Sequence, residues 1–441
     1  MRHRLVHAMA LIPLGALLLS QPMAPAGGVR QVSYDVVPFY GSDTTTTEVY
    51  IFYRIAKNFF IFLRDNQSAG QERYTSKGML VVELTDERTG KSSRIIQSFG
   101  DVSAKLPQPD ENGADIEGLL KCSLPDGTYG GAFDLRDEQS DRSFLDKKLH
   151  VVVERNGKSV GMNDWVLAKS SSEDSTLPFR AINRTEILPF GESGGFMSQV
   201  RLSAGDAVSV RWKLSTVDME NDAARTFADS TAVLFDQVLV PEAIGNTIRF
   251  RLNASQTPWK SIFIPIPARR LNEGRYLLTV ELRMGNESAS QEVPFSVAWL
   301  NKPFSLSRTD IAIDALRHIA TEDEMNDMDS FMTFNKSGAF RDFWRKLDPD
   351  TSTAFNEKQA EYYRRVDEAI RQFSSDNEQD GYKTDRGKIL ILYGAPTKRD
   401  RLFSPNKPPT EVWMYLNAKK RFIFIDAARK GLYTLSQMEN L

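Results

Sequence analysis

The residues best suited to chemistry lie in the last third of this chain: Asp348, Glu357, Arg364, Arg365, Asp385 and Arg386, interleaved with Trp344, Tyr362 and Tyr382. Carboxylates beside arginines and aromatic rings do acid–base work when they share a cleft, and the same set holds a sugar or an anionic ligand. As an enzyme, an extracytoplasmic hydrolase of glycan or peptide, the chain would use Asp385 or Glu357 as the acid–base and Arg386 as an electrostatic clamp. As a binding site it would draw on Trp344, Asp348, Glu357, Arg364, Tyr382, Thr384, Asp385 and Arg386. The same residues also read as structure alone, with Asp385 accepting turn N–H groups and Arg364 or Arg386 bridging carboxylates. An arginine-rich aromatic surface suits a protein partner as well.

Other chemistries lack their parts. Asp376-x-Glu378-x-Asp380-Gly381 imitates the start of a calcium loop, but its twelfth place is Gly387 where a bidentate Glu is needed, so no metal is expected. Zinc needs His and Cys ligands, and beyond the first residues the chain offers only His150, His318 and Cys122. Cys122, in Leu119-Leu120-Lys121-Cys122, reads as a small buried hydrophobe, and His150 as a satisfied strand histidine. There is no phosphate-cradling G-x-x-x-x-G-K-[ST] loop and no G-x-S-x-G nucleophile elbow, so no cofactor is expected either. A net charge of -2 gives no basic field for nucleic acid.

The 441 residues, 41% hydrophobic and 26% charged, suffice for several domains with sizeable cores. Met1-Arg2-His3-Arg4 is basic, Leu5 to Ser20 mostly apolar, and Ala24-Pro25-Ala26 offers a small-residue cleavage site, the pattern of a secretory signal peptide over residues 1–26. His7, Pro13 and Gly15 interrupt an apolar run already short of the about 20 residues a membrane span needs. The expected location is therefore extracytoplasmic, periplasmic or secreted, with no transmembrane segment. A single cysteine allows no internal disulfide.

The elements that must position the polar set begin far upstream. Glu48-Val49-Tyr50-Ile51-Phe52-Tyr53, Phe59 to Leu63 and Met79 to Leu84 are period-two signals between turn clusters, predicting an antiparallel β-sandwich over residues 27–160. After a Ser-rich connection at Lys169 to Ser175, Val208 to Trp212, Ile248 to Leu252 and Ser261 to Ile264 predict a second over residues 161–302. Leu124-Pro125-Asp126-Gly127-Thr128-Tyr129 and Leu271-Asn272-Glu273-Gly274-Arg275-Tyr276 repeat at one constant offset through Phe133/Val280, Leu135/Leu282 and Arg136/Arg283. A turn and then a Tyr opening a strand resembles the corner of immunoglobulin-like domains, where the hydroxyl bonds back to the backbone. The expectation is two tandem immunoglobulin-like sandwiches.

After Pro303 the period turns helical: Ile311, Ala315, Leu316 and Ile319 with Thr309 or Asp310 as cap, a helix around Ala339 to Leu347 stopping before Pro349, and one from Asn356 to Phe373. The polar turn Asp380 to Gly387 then feeds Lys388 to Tyr393, an apolar run between Gly387 and Gly394-Ala395-Pro396 that reads as a strand covered on both faces. Further strands are predicted at Glu411 to Leu416, Arg421 to Ile425 and Leu432 to Leu435, so residues 303–441 form an α+β domain, helices first and antiparallel sheet last.

Phe343-Trp344-Arg345, Asp348-Pro349, Asn356-Glu357, Tyr362-Tyr363-Arg364-Arg365, Gly381-x-x-Thr384-Asp385-Arg386-Gly387 and Tyr393-Gly394-x-Pro396 fall in one order that resembles the GWxTD-domain proteins of bacteria, over about residues 305–436. The family's namesake Trp is Tyr382 here, a flat ring with an added hydroxyl. The resemblance implies an exported bacterial protein with β domains ahead of the namesake domain and names no activity. The leading expectation is a non-enzymatic protein whose sandwiches present the C-terminal domain to an unidentified protein partner of the envelope or extracellular space, or scaffold the envelope.

Overall fold

A computed structural model describes residues 31–441 apart from 42–45, 66–72, 104–114, 156–159, 172–176, 203–207, 218–225, 230–231, 255–256, 330–332 and 375–379. The expected signal segment at residues 1–26, much of the Lys169–Ser175 connection and the Asp376 and Glu378 of the calcium-like spacing lie outside the described residues. The chain is mostly antiparallel sheet, with six α-helices among the described residues, all after Pro303, and a final sheet behind them.

Four sheets make up the N-terminal two thirds. Sheet I joins Val32–Phe39, Thr47–Ile55 and Ile116–Leu124, and sheet II is built on Tyr74–Asp86, Ser92–Ser103, Gly127–Asp137 and Ser143–Val153. Sheet III centres on Gly195–Arg201 and Trp259–Pro265, and sheet IV on Val208–Thr216, Gly274–Met284 and Glu287–Ala298. They stack in the order II, I, III, IV. Val49, Ile51, Tyr53 and Ile55 face Leu80, Val82, Phe133 and Leu135 of sheet II. The intervening Tyr50 and Phe52 face Val166, Phe179 and Phe250 of sheet III. Phe196, Ile262 and Ile264 then face Leu278, Val280 and Leu282 of sheet IV. The expected tandem sandwiches are thus fused face to face through sheet I. The reason is in the sequence: Val49 to Tyr53 is continuously apolar, and a strand apolar on both faces needs cover on both.

Polar groups seal that seam. Arg54 is buried and pairs with Asp115, which Arg184 approaches at 3.6 Å. Asn183 Nδ2 donates to the Tyr53 carbonyl at 2.7 Å, and Gln199 Oε1 accepts from Tyr40 N at 2.7 Å. Both expected tyrosine corners are present: Tyr129 donates to the Pro125 carbonyl and Tyr276 to the Asn272 carbonyl, each at 2.9 Å. Cys122 is half-buried, and burial pushes its thiol up to about 11, which keeps it protonated and unreactive at neutral pH. His150 sits in its predicted strand on an exposed position.

The C-terminal region opens with α1 (Phe304–Ser307), α2 (Thr309–Ala315), α3 (Glu322–Asp329), α4 (Thr333–Leu347) and α5 (Glu357–Phe373). α4 stops before Asp348-Pro349 as predicted, and Asn356 caps α5 by accepting from Gln359 N at 2.9 Å. Neither Thr309 nor Asp310 caps α2, because the residue before its first turn is Arg308 and no side chain fills the role. Lys388 to Tyr393 is not a strand. It belongs to α6 (Asp385–Tyr393), with Thr384 as N-cap and Gly394, at φ 78°, as C-cap. Beyond the exposed Lys388 the run is apolar because α6 is wedged between α5 and the last sheet, where Ile389, Leu390 and Ile391 are buried against Val366, Ala369, Trp413 and Phe422. A short buried helix and a short buried strand share that signature, and Gly394 served as a helix stop.

Sheet V follows as an antiparallel meander of Lys398–Ser404, Lys407–Tyr415, Lys420–Ile425 and Thr434–Asn440, the first of which had no sequence expectation. The region is bolted to sheets III and IV by the loop after α4. Phe355 stacks edge-on against Phe190 and Trp299, with ring centroids 5.3 and 5.2 Å away, and Ala354 N donates to the Arg269 carbonyl at 2.7 Å. Gly191, at φ 85°, passes so close that a Cβ would meet Phe355 Cγ at 2.7 Å.

Candidate functional site

The turn between α5 and α6 brings together Tyr382, Thr384, Asp385 and Arg386, half of the expected binding set. Two glycines make it possible by close approach. A Cβ on Gly381 would lie 2.5 Å from Ala369 O and Ser374 N at the end of α5, and one on Gly387 would lie 2.1 Å from Gly381 O. Gly387 is not at positive φ, so its requirement is space. Thr384 then locks the turn, its hydroxyl accepting from Gly387 N at 2.9 Å and donating to Gly381 O at 2.8 Å. Tyr382 is buried, and its hydroxyl donates to Asp314 Oδ2 at 2.7 Å, which ties the turn to α2. His318 Nε2 lies 2.9 Å from the Tyr382 carbonyl and so carries the proton it donates there. Burial, seconded by Lys388 and Arg317, holds His318 below its ordinary value against the pull of that bond.

Asp385 does not join an arginine. Its Oδ2 accepts from Leu435 N at 2.7 Å, fastening α6 to the last strand of sheet V. The arginines converge on Glu411, a residue absent from the expected set. Only 1% of its side chain is exposed, and Arg386 approaches it at 3.1 Å, Arg401 at 3.3 Å and Arg399 closer still. Burial alone would raise the Glu411 carboxyl, but the bonds and charges of Arg399 and Arg386 outweigh it and hold the group below its ordinary value. The Arg386 guanidinium is sandwiched between the Phe373 and Tyr433 rings, 4.8 and 4.3 Å from their centroids, and donates to Gly431 O at 3.3 Å. Glu411 was legible in principle, since it shares the inward register with Trp413 and Tyr415.

The other expected residues lie apart. Trp344 is core, packed on Tyr362 and Tyr363, while its carbonyl accepts from Asn356 Nδ2 at 2.8 Å. Tyr362 and Tyr363 donate to the carbonyls of Ala315 and Ala312, hanging α2 on α5. Arg364 pairs on the exposed face of α5 with Glu361 and Glu368. Glu361 also takes Arg365, and its bond to Arg364, with help from Arg365, holds its carboxyl down to about 2 against the effect of burial. Asp348 Oδ1 accepts from Asp350 N at 2.9 Å in the loop after α4. Glu357 is exposed at the start of α5, 3.8 Å from Arg269 of the β-stack. Asp385 and Glu357, the two acid–base candidates, thus sit on different elements, one fastening a strand and the other facing a neighbouring domain.

A pocket of about 420 Å³ opens at the seam between the two regions, lined by Ser170, Ser193, Phe263, Arg269, Arg270 and Thr353 among others, and by none of the expected set. Among the described residues, no cluster of three or more His, Cys, Asp or Glu side chains is disposed to hold a metal ion, and no helix is long and apolar enough to cross a membrane.

The sequence profile of the GWxTD domain matches residues 284–439. The match runs from the end of the Gly274–Met284 strand through α1 to α6 and sheet V, so it takes in the last strand of sheet IV as well as the α+β region. A comparison with curated protein sequences returned no match.

Proposed function

We propose that this chain, a GWxTD-domain-containing protein, is an exported, non-enzymatic protein in which the fused β-stack presents the C-terminal α+β domain to a protein partner or scaffolds the envelope. The observation that carries the reading is how the domain spends its polar residues. Thr384 caps α6, Tyr382 and Asp385 fasten the turn to α2 and sheet V, and Arg386 shares Glu411 with two further arginines. Trp344 is packed away and Glu361 holds two arginines. Acid catalysis requires a carboxylate that is desolvated and free to exchange a proton at an open cleft; Asp385 and Glu357 have the partners and exposure of structural groups. Among the surfaces the domain leaves to solvent is the edge of its meander sheet that carries Arg399 and Arg401, a composition suited to protein recognition. Export rests on the basic and then apolar residues 1–26.

The test is affinity capture with the full chain from an envelope extract, run beside assays on a glycan and peptide panel. Recovery of a partner whose binding depends on the C-terminal domain is the expected result. Failure to recover any partner, together with hydrolysis of a panel member that Asp385→Asn or Glu357→Gln abolishes, would establish the hydrolase instead.

A further inference from the structure

Sheet V has two edges, and they differ. On the Thr434–Asn440 strand the Asp385 carboxylate takes the outward Leu435 N–H. The Lys398–Ser404 strand pairs only with Lys407–Tyr415, and among the described residues nothing hydrogen-bonds the backbone along its other side. Unpaired N–H and C=O groups along a strand are a template for another strand. Leu402 and Phe403, at its far end, are 57% and 70% exposed, and no large apolar side chain among the described residues is more exposed than Phe403.

The charge on this edge says what fits it. Lys398 is balanced by Asp400 at 2.8 Å. Arg399 and Arg401, two apart and therefore on one face, share the single carboxylate of Glu411 with Arg386. Three guanidinium groups on one carboxylate leave a surplus of two positive charges beside the free backbone. A second copy of this edge would bring the same surplus with it, and like charges opposite one another across strands repel. A bulge between Leu402 and Ser404 also spoils regular self-pairing.

We infer that the free edge of the Lys398–Ser404 strand takes an extended, acidic and apolar segment of a partner protein as a fifth strand of sheet V; this rests on the reading of the C-terminal domain as a protein-binding module. Main-chain bonds to the edge supply affinity. Carboxylates opposite Arg399 and Arg401 complete the charge balance, and an apolar side chain covers Leu402 and Phe403.

The experiment uses the full chain and three fluorescent seven-residue probes, the length of the strand: one alternating Glu and Val, one with Lys for Glu, and one alternating Glu and Val with N-methylated backbone. The Glu/Val probe is expected to bind more tightly than either control by about tenfold, and more weakly as salt rises. Arg401→Glu should reverse the preference toward the Lys probe, and Phe403→Ser, at an exposed position that leaves the fold intact, should weaken the Glu/Val probe severalfold. Equal binding of the N-methylated probe would reduce the site to side-chain attraction and overturn strand addition. No binding of the Glu/Val probe, an unchanged preference in Arg401→Glu with unchanged binding in Phe403→Ser, or self-association of the chain through this edge in sedimentation would each overturn the assignment. If these fail while the full chain still captures a partner through its C-terminal domain, the edge falls and the binding-module reading stands.

Discussion

Single residues divide by what they hold. Glu411 pairs with three arginines from a fully buried position, so Glu411→Ala leaves all three without a counter-charge. The cost should be about 3 kcal/mol, the low end for a broken buried pair, because Arg399 and Arg401 reach solvent. Asp385→Ala removes the acceptor of an exposed backbone N–H, which water can replace, and should cost no more than about 1 kcal/mol. Urea melts of the two variants check the order, and a larger loss at Asp385 would contradict it. His318 adds a pH dependence. Its folded pKa is depressed by burial, so the unfolded chain binds the proton more readily, and stability is full above the ordinary value and lost as pH falls through it. The C-terminal transition of wild type should therefore fall as pH drops below the ordinary histidine value of about 6.5. In His318→Gln, whose amide can still donate to the Tyr382 carbonyl, that slope should flatten.

At the level of elements, α6 is the piece most dependent on its surroundings. Nine residues make a marginal helix in isolation. Its start is held by the Thr384 hydroxyl, which satisfies a free N–H of the first turn and ties off Gly381 O. Thr384→Ala should destabilise the C-terminal domain by about 1 to 2 kcal/mol, with Thr384→Ser recovering most of the loss, as read by thermal melts. α1 is treated differently: Asp367, nearly three turns into α5, receives the N–H groups of Phe304 and Ser305, so that a remote carboxylate does the work of a local cap.

The whole molecule has one weld and one bolt. The weld is sheet I, buried on both faces, and it makes sheets I to IV a single four-layer body. Calorimetry should show them melting in one transition, and Phe52→Ala at the I–III contact should lower that transition as a unit; separate melting of the two sandwiches would refute the weld. The bolt is Phe355 between Phe190 and Trp299, with Arg269 facing Asp350 and Glu357 beside it. Those ion pairs are long and exposed and contribute little. Phe355→Ala should therefore release the C-terminal domain from the stack while leaving both bodies folded, seen as faster proteolysis near Pro303 without loss of either melting transition.

Residue patterns alone determined the β-rich start, the helical switch after Pro303, the α5 boundaries, the stop before Pro349, both tyrosine corners and the GWxTD resemblance. Each of these is written in a local period, a cap or a turn residue, which sequence neighbours decide among themselves. Three things depended on the tertiary structure. Lys388 to Tyr393 became a helix because a short, nearly continuous apolar run carries no period, and only the capping Thr384 and the neighbouring sheet select the state. The two sandwiches fused because the partner of Tyr50 and Phe52 lies more than a hundred residues away. The polar cluster centred on Glu411 because charges pair by distance in space, and three arginines from α6 and the first strand of sheet V meet a carboxylate that reads in sequence as one more residue of a strand.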